Sequence, residues 1–237
     1  MHITHRQLQQ LAADVDELHH DQMRTFQEET ADLHLDAVRA SRRNLAVPTA
    51  IGGAALAALP FLSSRAAAQD LDDQTIAGYA QGIELAAVAA YTAAAPVLSP
   101  GTLPVAELFR SHHQQHADAF GAVAGDRRAS GPNQKLITAL GPVLSAITDE
   151  PVALNFAFTL ENQAAYTYAA ALTLLQDPQY AAATATILPI EAQHAVVLGL
   201  AVGKSVADVF PTQAFESAAL GDGTDPLAGL DPATFAV

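Results

Sequence analysis

The stretch Ile190-Glu191-Ala192-Gln193-His194 sets a Glu-x-x-His inside an Ala-rich run, 181–202, that is otherwise uncharged. Three residues advance a helix by about 300°, so Glu191 and His194 lie on one face a turn apart and can reach one point. That is the geometry of a metal clamp. His113 and His116 have the same spacing, with His112 and His116 as the alternative i, i+4 pair. Glu84 is the only charged residue between Asp73 and Glu107. A carboxylate in so apolar a segment must be paired, protonated or bound to a cation if it is buried. With no cysteine in the chain, disulfides, thiol catalysis and thiolate metal sites are excluded, and any metal must be held by carboxylate and imidazole. No Gly-rich phosphate loop, nucleophile elbow or Cys-based zinc motif is present.

Helices are needed to position these groups. Residues 71–98 read as a first helix with Asp70, Asp72 and Asp73 at its start and Pro96 and Pro100 at its end. A second is predicted from about Pro104 to Val123, and a third from Glu150-Pro151 to a stop before Asp177-Pro178. The fourth is predicted from Pro178 to Val202. Between the second and third, 125–132 is a loop by its Gly, Pro and charge content, and 135–147 a short amphipathic helix within a long crossover. Glu84 is followed by Ala87 and Tyr91, and Glu161 by Ala164 and Tyr168, so one pattern occurs twice. His116 follows Glu84 by 32 positions and His194 follows Glu161 by 33. A repeated helical hairpin brings its halves together about a pseudo-twofold axis, so Glu84, His113, His116, Glu161, Glu191 and His194 should point into one central space. Tyr91 and Tyr168 lie near the same faces, as core aromatics with satisfied hydroxyls, partners of the ligands or redox relays.

Over 71–203 the chain resembles the ferritin-like superfamily, in particular exported bacterial ferritin-like domain proteins. The resemblance implies an all-α fold, a four-helix bundle with a long crossover between helices 2 and 3. It also implies two metal ions held by one Glu from each of two helices and a Glu-x-x-His from each of the others. Glu84 and Glu161 match the single glutamates, and Glu191 with His194 is an intact pair. His113 stands where the other glutamate is expected. The loss of that bridging carboxylate moves the expectation toward one ion, or one strong and one weak site, with Fe or Mn preferred and Zn the alternative.

The remaining segments bear on location. Residues 1–40 form a polar leader with Leu8, Leu11, Val15 and Leu18 at helical spacing and histidines at 2, 5, 19, 20 and 34. The histidines could suggest a metal tract but are read as part of a solvated helix or flexible leader, because His19 and His20 lack a carboxylate framework like that of the later site. Arg42-Arg43, an apolar run from Leu45 to Leu62 and Ala66-Ala67-Ala68 resemble a twin-arginine (Tat-type) export signal over 41–68, with cleavage after Ala68. The competing reading is a membrane anchor, and Met23 is an alternative start. The expected bundle spans 69–210, and 211–237, rich in Gly, Asp and Pro, is an irregular tail. A formal net charge of -14 argues against nucleic acid as a partner. The expected partners are the export machinery and, left open, a second copy in a homodimer, with membrane contact only if the signal is uncleaved. Two functions follow: a metal-dependent redox protein outside the cytoplasm, acting on ferrous iron, peroxide or oxygen, or a non-enzymatic envelope or stress scaffold with a structural metal or none. An iron-storage cage is a weaker third.

Overall fold

Side-chain caps mark the helix starts. Thr4 and Gln7 form a reciprocal capping box, Thr4 N–H donating to Gln7 Oε1 (2.9 Å) and Gln7 N–H to Thr4 Oγ1 (3.3 Å), which opens α1, His5–Asp32. Asp72 accepts from Thr75 N–H at 2.7 Å to open α2, Asp73–Ala94. The second long helix, α3, is Leu103–Ala124, with Pro104 in its first turn. Asn133 caps α4, Gln134–Ser145. Asp149 accepts from Val152 N–H at 3.0 Å ahead of α5, Glu150–Ala171. Asp177, followed by Pro178, caps α6, Pro178–Ala201. Past its end Gly203 takes φ 80°, a left-handed conformation that turns the chain out of the helix at little cost for glycine.

The structure is a computed structural model that describes residues 3–32, 72–172, 174–205 and 209, all-helical among the described residues. The signal segment 41–68 and the tail 211–237 lie outside them. α2 pairs with α3 and α5 with α6, the two halves of the repeat, and α4 lies in the crossover between α3 and α5. Leu136 and Leu140 of α4 are buried against Tyr79, Ile83 and Ala86 of α2, so the crossover is held by its own apolar face.

The bundle core has two apolar ends. One joins Phe109, Val105, Leu154, Ile190 and Leu198, the other Phe120, Val123, Ala164, Tyr168 and Ile187. The helix α1 packs along α6 and α3 and contributes to both: Leu8, Ala12 and Val15 to the first, Met23 and Phe26 to the second. This corrects the expectation of a solvated or flexible leader for these residues. It also corrects the phase. The buried stripe runs 8, 12, 15, 19, 23, 26, whereas Leu18 is 48% exposed. The phase through Leu11 and Leu18 meets Gln22 and Thr25 next, while the one through Ala12 and His19 meets Met23 and Phe26, so only the second buries apolar surface over the whole length. Full burial of a side chain such as Leu8 or Phe26 stabilises by about 1.5–3 kcal/mol, and these apolar contacts are what hold α1 on the bundle.

Candidate metal centre

Between the two apolar ends lies a polar layer. α2 supplies Glu84, α3 supplies His113 and His116, α5 supplies Glu161, and α6 supplies Glu191 and His194, all at 1% exposure or less. All six expected residues meet in one buried cluster. One ligating atom each from Glu84, His113, His116 and Glu191 lie within 4.8 Å of one another, as do one each from His113, Glu161, Glu191 and His194. The two groups share His113 and Glu191.

His113 answers the ambiguity with its neighbour. Its Nδ1 lies 2.7 Å from Glu84 Oε2 and its Nε2 3.1 Å from Glu161 Oε1. Both nitrogens face carboxylates, so the ring makes both hydrogen bonds only as an imidazolium, donating twice. Burial opposes that charge, but Glu161 and Glu191 outweigh it and hold the ring well above the ordinary histidine range. His112 instead touches none of the cluster's carboxylates and links His194 to α1: its Nδ1 is 3.0 Å from His194 Nε2 and its Nε2 3.0 Å from Asp16 Oδ1.

His194 Nδ1 lies 3.2 Å from Glu161 Oε2. His116 Nδ1 lies 2.7 Å from Glu191 Oε1, yet the alignment is not that of a hydrogen bond, and both nitrogens of His116 and both oxygens of Glu191 have no hydrogen-bond partner. Once His116 gives up its proton, its Nδ1 and Glu191 Oε1 are two ligand atoms close enough to hold one cation. Carboxylate and imidazole donors suit Fe, Mn and Zn, so the residues fit such an ion.

The tyrosines tie the halves together crosswise. The Tyr91 hydroxyl donates to Glu161 and the Tyr168 hydroxyl to Glu84, each reaching the glutamate of the other half. They are therefore core aromatics whose hydroxyls orient the cluster's carboxylates. Phe109 stacks on His194, ring centroids 4.0 Å apart, and helps keep the layer dry.

The cluster balances its own charge. Burial alone would raise Glu84, but the charge of His116 and the hydrogen bond from His113 hold it down at about 2. Glu161 is likewise held well below its usual range by His113 and His194 against burial. His116, which burial would lower, is raised to about 9 by Glu191 and Glu84. Glu191 is raised by burial and by its two fellow carboxylates, against the pull of His113. Three carboxylates facing three imidazoles reach neutrality with protons; a ligating imidazole must be neutral, so a metal competes with those protons.

A second histidine group, expected to be solvated, instead borders this layer. His19 of α1 is fully buried and stacks on His112 at 4.0 Å, with His116 5.1 Å away. Neither of its ring nitrogens has a hydrogen-bond partner, at a cost of about 1–3 kcal/mol for a buried polar group. Burial, then the neighbouring imidazoles, pull it down to about 2, so it is neutral. The signals were present in the sequence: Asp16 three residues before His19, and His19 in step with the apolar stripe.

No curated protein and no solved structure gives a significant match to this chain. Residues 72–204, α2 through the end of α6, match the ferritin-like domain, and with that match over more than half its length the chain belongs to the ferritin-like domain family.

Proposed function

We propose that this chain is an exported ferritin-like metal-binding protein that holds one or two Fe or Mn ions, with Zn the alternative, for redox work on ferrous iron, peroxide or oxygen. The observation that supports it best is the buried layer in which four helices bring two overlapping sets of four carboxylate and imidazole ligand atoms within 4.8 Å of one another. Glu84, His116 and Glu191 would hold one ion, and Glu161, Glu191 and His194 the other. Bound Fe or Mn would supply one-electron chemistry toward an oxidant, whereas bound Zn, which has no redox chemistry, would be structural. The protein's own groups orient and exclude: Tyr91 and Tyr168 fix Glu161 and Glu84, and Phe109 keeps water from His194.

The test is metal content by mass spectrometry, native against the combined Glu191→Ala and His194→Ala variant. About two Fe or Mn per chain, lost in the variant, supports a dinuclear redox site; about one supports a mononuclear site. No bound metal after loading with Fe, Mn and Zn, with the variant equally folded, overturns the catalytic reading.

His113 favours the second reading, a scaffold. Its imidazolium occupies both single glutamates and does for them what a cation does elsewhere, so the cluster is satisfied without metal at those two positions.

Export carries a structural consequence. α1 precedes the twin arginines, so cleavage after Ala68 separates it from the bundle and uncovers His112 and His116. N-terminal sequencing of the protein from the cell envelope decides: a start at Gln69 supports export with cleavage, whereas a start at Met1 in protein confined to the cytosol overturns it.

A further inference from the structure

Outside the ferritin-like domain, α1 carries a second group of ligand type. Asp16, His19 and His20 are spaced i, i+3 and i+4, which brings all three to one side of a helix. One ligating atom from each lies within 4.8 Å of the others. His20 Nδ1 is 2.9 Å from the Asp16 backbone oxygen and 3.1 Å from Asp16 Oδ1, which leaves its Nε2 without a contact to Asp16, and the His19 and His20 rings stand edge to face with centroids 5.8 Å apart. The group spans the boundary between solvent and core: His20 and Asp16 side chains are 64% and 35% exposed, while His19 is fully buried. Apolar contacts of Val15 and Met23 on either side of His19 set its depth.

His19 is the independent sign of a ligand. A leucine or methionine at this place in the stripe would pack without polar cost, yet an imidazole stands there with neither nitrogen hydrogen-bonded. Its stacking on His112 fixes the ring plane, and Asp16 is held against His112 Nε2 at 3.0 Å, so two of the three side chains are positioned by the bundle. Two imidazole nitrogens and one carboxylate oxygen, with no thiolate, select a borderline divalent cation over Mg²⁺ or Ca²⁺.

We propose that Asp16, His19 and His20 form a separate binding site for a borderline divalent cation of the Fe²⁺, Co²⁺ or Zn²⁺ class, completed only when α1 lies on the bundle. The site requires no metal in the core cluster and stands whether or not that cluster binds one. It ties cation binding to the retention of α1: a chain cut after Ala68 lacks all three ligands.

The probe is Co²⁺, titrated into the full chain prepared without a polyhistidine tag and followed by its visible absorption and by metal content. In the Glu191→Ala, His194→Ala background the expected result is one Co²⁺ per chain, lost on adding His20→Ala or Asp16→Asn. His20 is exposed, so its removal leaves the packing of α1 intact. In a chain with the native core the same His20→Ala change is expected to lower the Co²⁺ content by one ion, which keeps the test valid if the core variant does not fold. Co²⁺ content and spectrum unchanged by both His20→Ala and Asp16→Asn would overturn the site, even where the core binds metal normally. Failure of the core to bind, with one ion still held and lost on His20→Ala, would remove the proposed redox function and leave this site standing.

Discussion

The two histidine groups differ in how burial is compensated. In the bundle core each imidazole faces carboxylates, and burial, which opposes charge, is outweighed. At the α1 seam burial and the repulsion of neighbouring imidazoles pull His19 to about 2 and His112 to about 3, in His112 against the opposing pull of Asp16. One fold thus holds a charged, self-balanced layer beside a neutral layer. The same residue type is an ion pair partner in one and an uncharged ligand in waiting in the other, and the neighbours on adjacent helices decide which.

Replacing His113 breaks the core side of this contrast most severely. His113→Glu places a fourth carboxylate between Glu84 and Glu161 and removes their shared donor. The metal-free variant should lose about 3–5 kcal/mol in denaturant unfolding, the cost of leaving buried charges unpaired. Loading with Fe or Mn should return much of that loss and raise the content toward two ions per chain. A metal-free variant as stable as the native chain would show that His113 is not the internal cation.

Next in size are the crossed tyrosines. Tyr91→Phe and Tyr168→Phe each remove a hydrogen bond to a buried carboxylate, an expected loss of about 1.5–3 kcal/mol. Because they act on opposite halves, the two losses should be similar; a large loss in one and none in the other would break the pseudo-twofold reading.

On the basic side of the pH range only the core layer should weaken. On the acid side the seam should weaken first, from about 6.5, ahead of the depressed Glu84 and Glu161, whose contribution is lost below about 4.5. His116 has a folded pKa raised to about 9, so its contribution in the metal-free protein is complete below about 6.5 and is lost as pH rises through 9. His19 and His112 are depressed in the folded state, so their contribution is present above about 6.5 and is lost as pH falls toward 3 and 2. Hydrogen exchange resolved by helix should show α1 loosening first on the acid side, before α2, α3, α5 and α6. Uniform loosening of all helices would mean that the seam is not a separate unit.

The smallest effect sharpens the phase of α1. Leu18→Ser should change stability by less than about 0.5 kcal/mol, whereas Val15→Ala, at 6% exposure, should cost about 1–2 kcal/mol. A larger loss at Leu18 would restore the stripe expected from Leu11 and Leu18.

Much of this was legible in the sequence because it is local. Asp72, Asn133, Asp149 and Asp177 bond to backbone within three residues of themselves, so helix starts fall close to where the chain's own chemistry puts them. The doubled Glu-x-x-Ala-x-x-x-Tyr pattern and its matched spacing to His116 and His194 pointed to one layer for Glu84, His113, His116, Glu161, Glu191 and His194, since equivalent positions of a repeated hairpin face each other about a pseudo-twofold axis. Tertiary structure alone decided the rest. Adjacent residues on a helix point about 100° apart, so whether His112 or His113 enters the core depends on how α3 is rotated against α2, α5 and α6. The crossing of Tyr91 to Glu161 and Tyr168 to Glu84 depends on the register of two helices distant in sequence. α1 carries two plausible stripes, and only the apolar surface offered by α3 and α6 selects the one that buries His19.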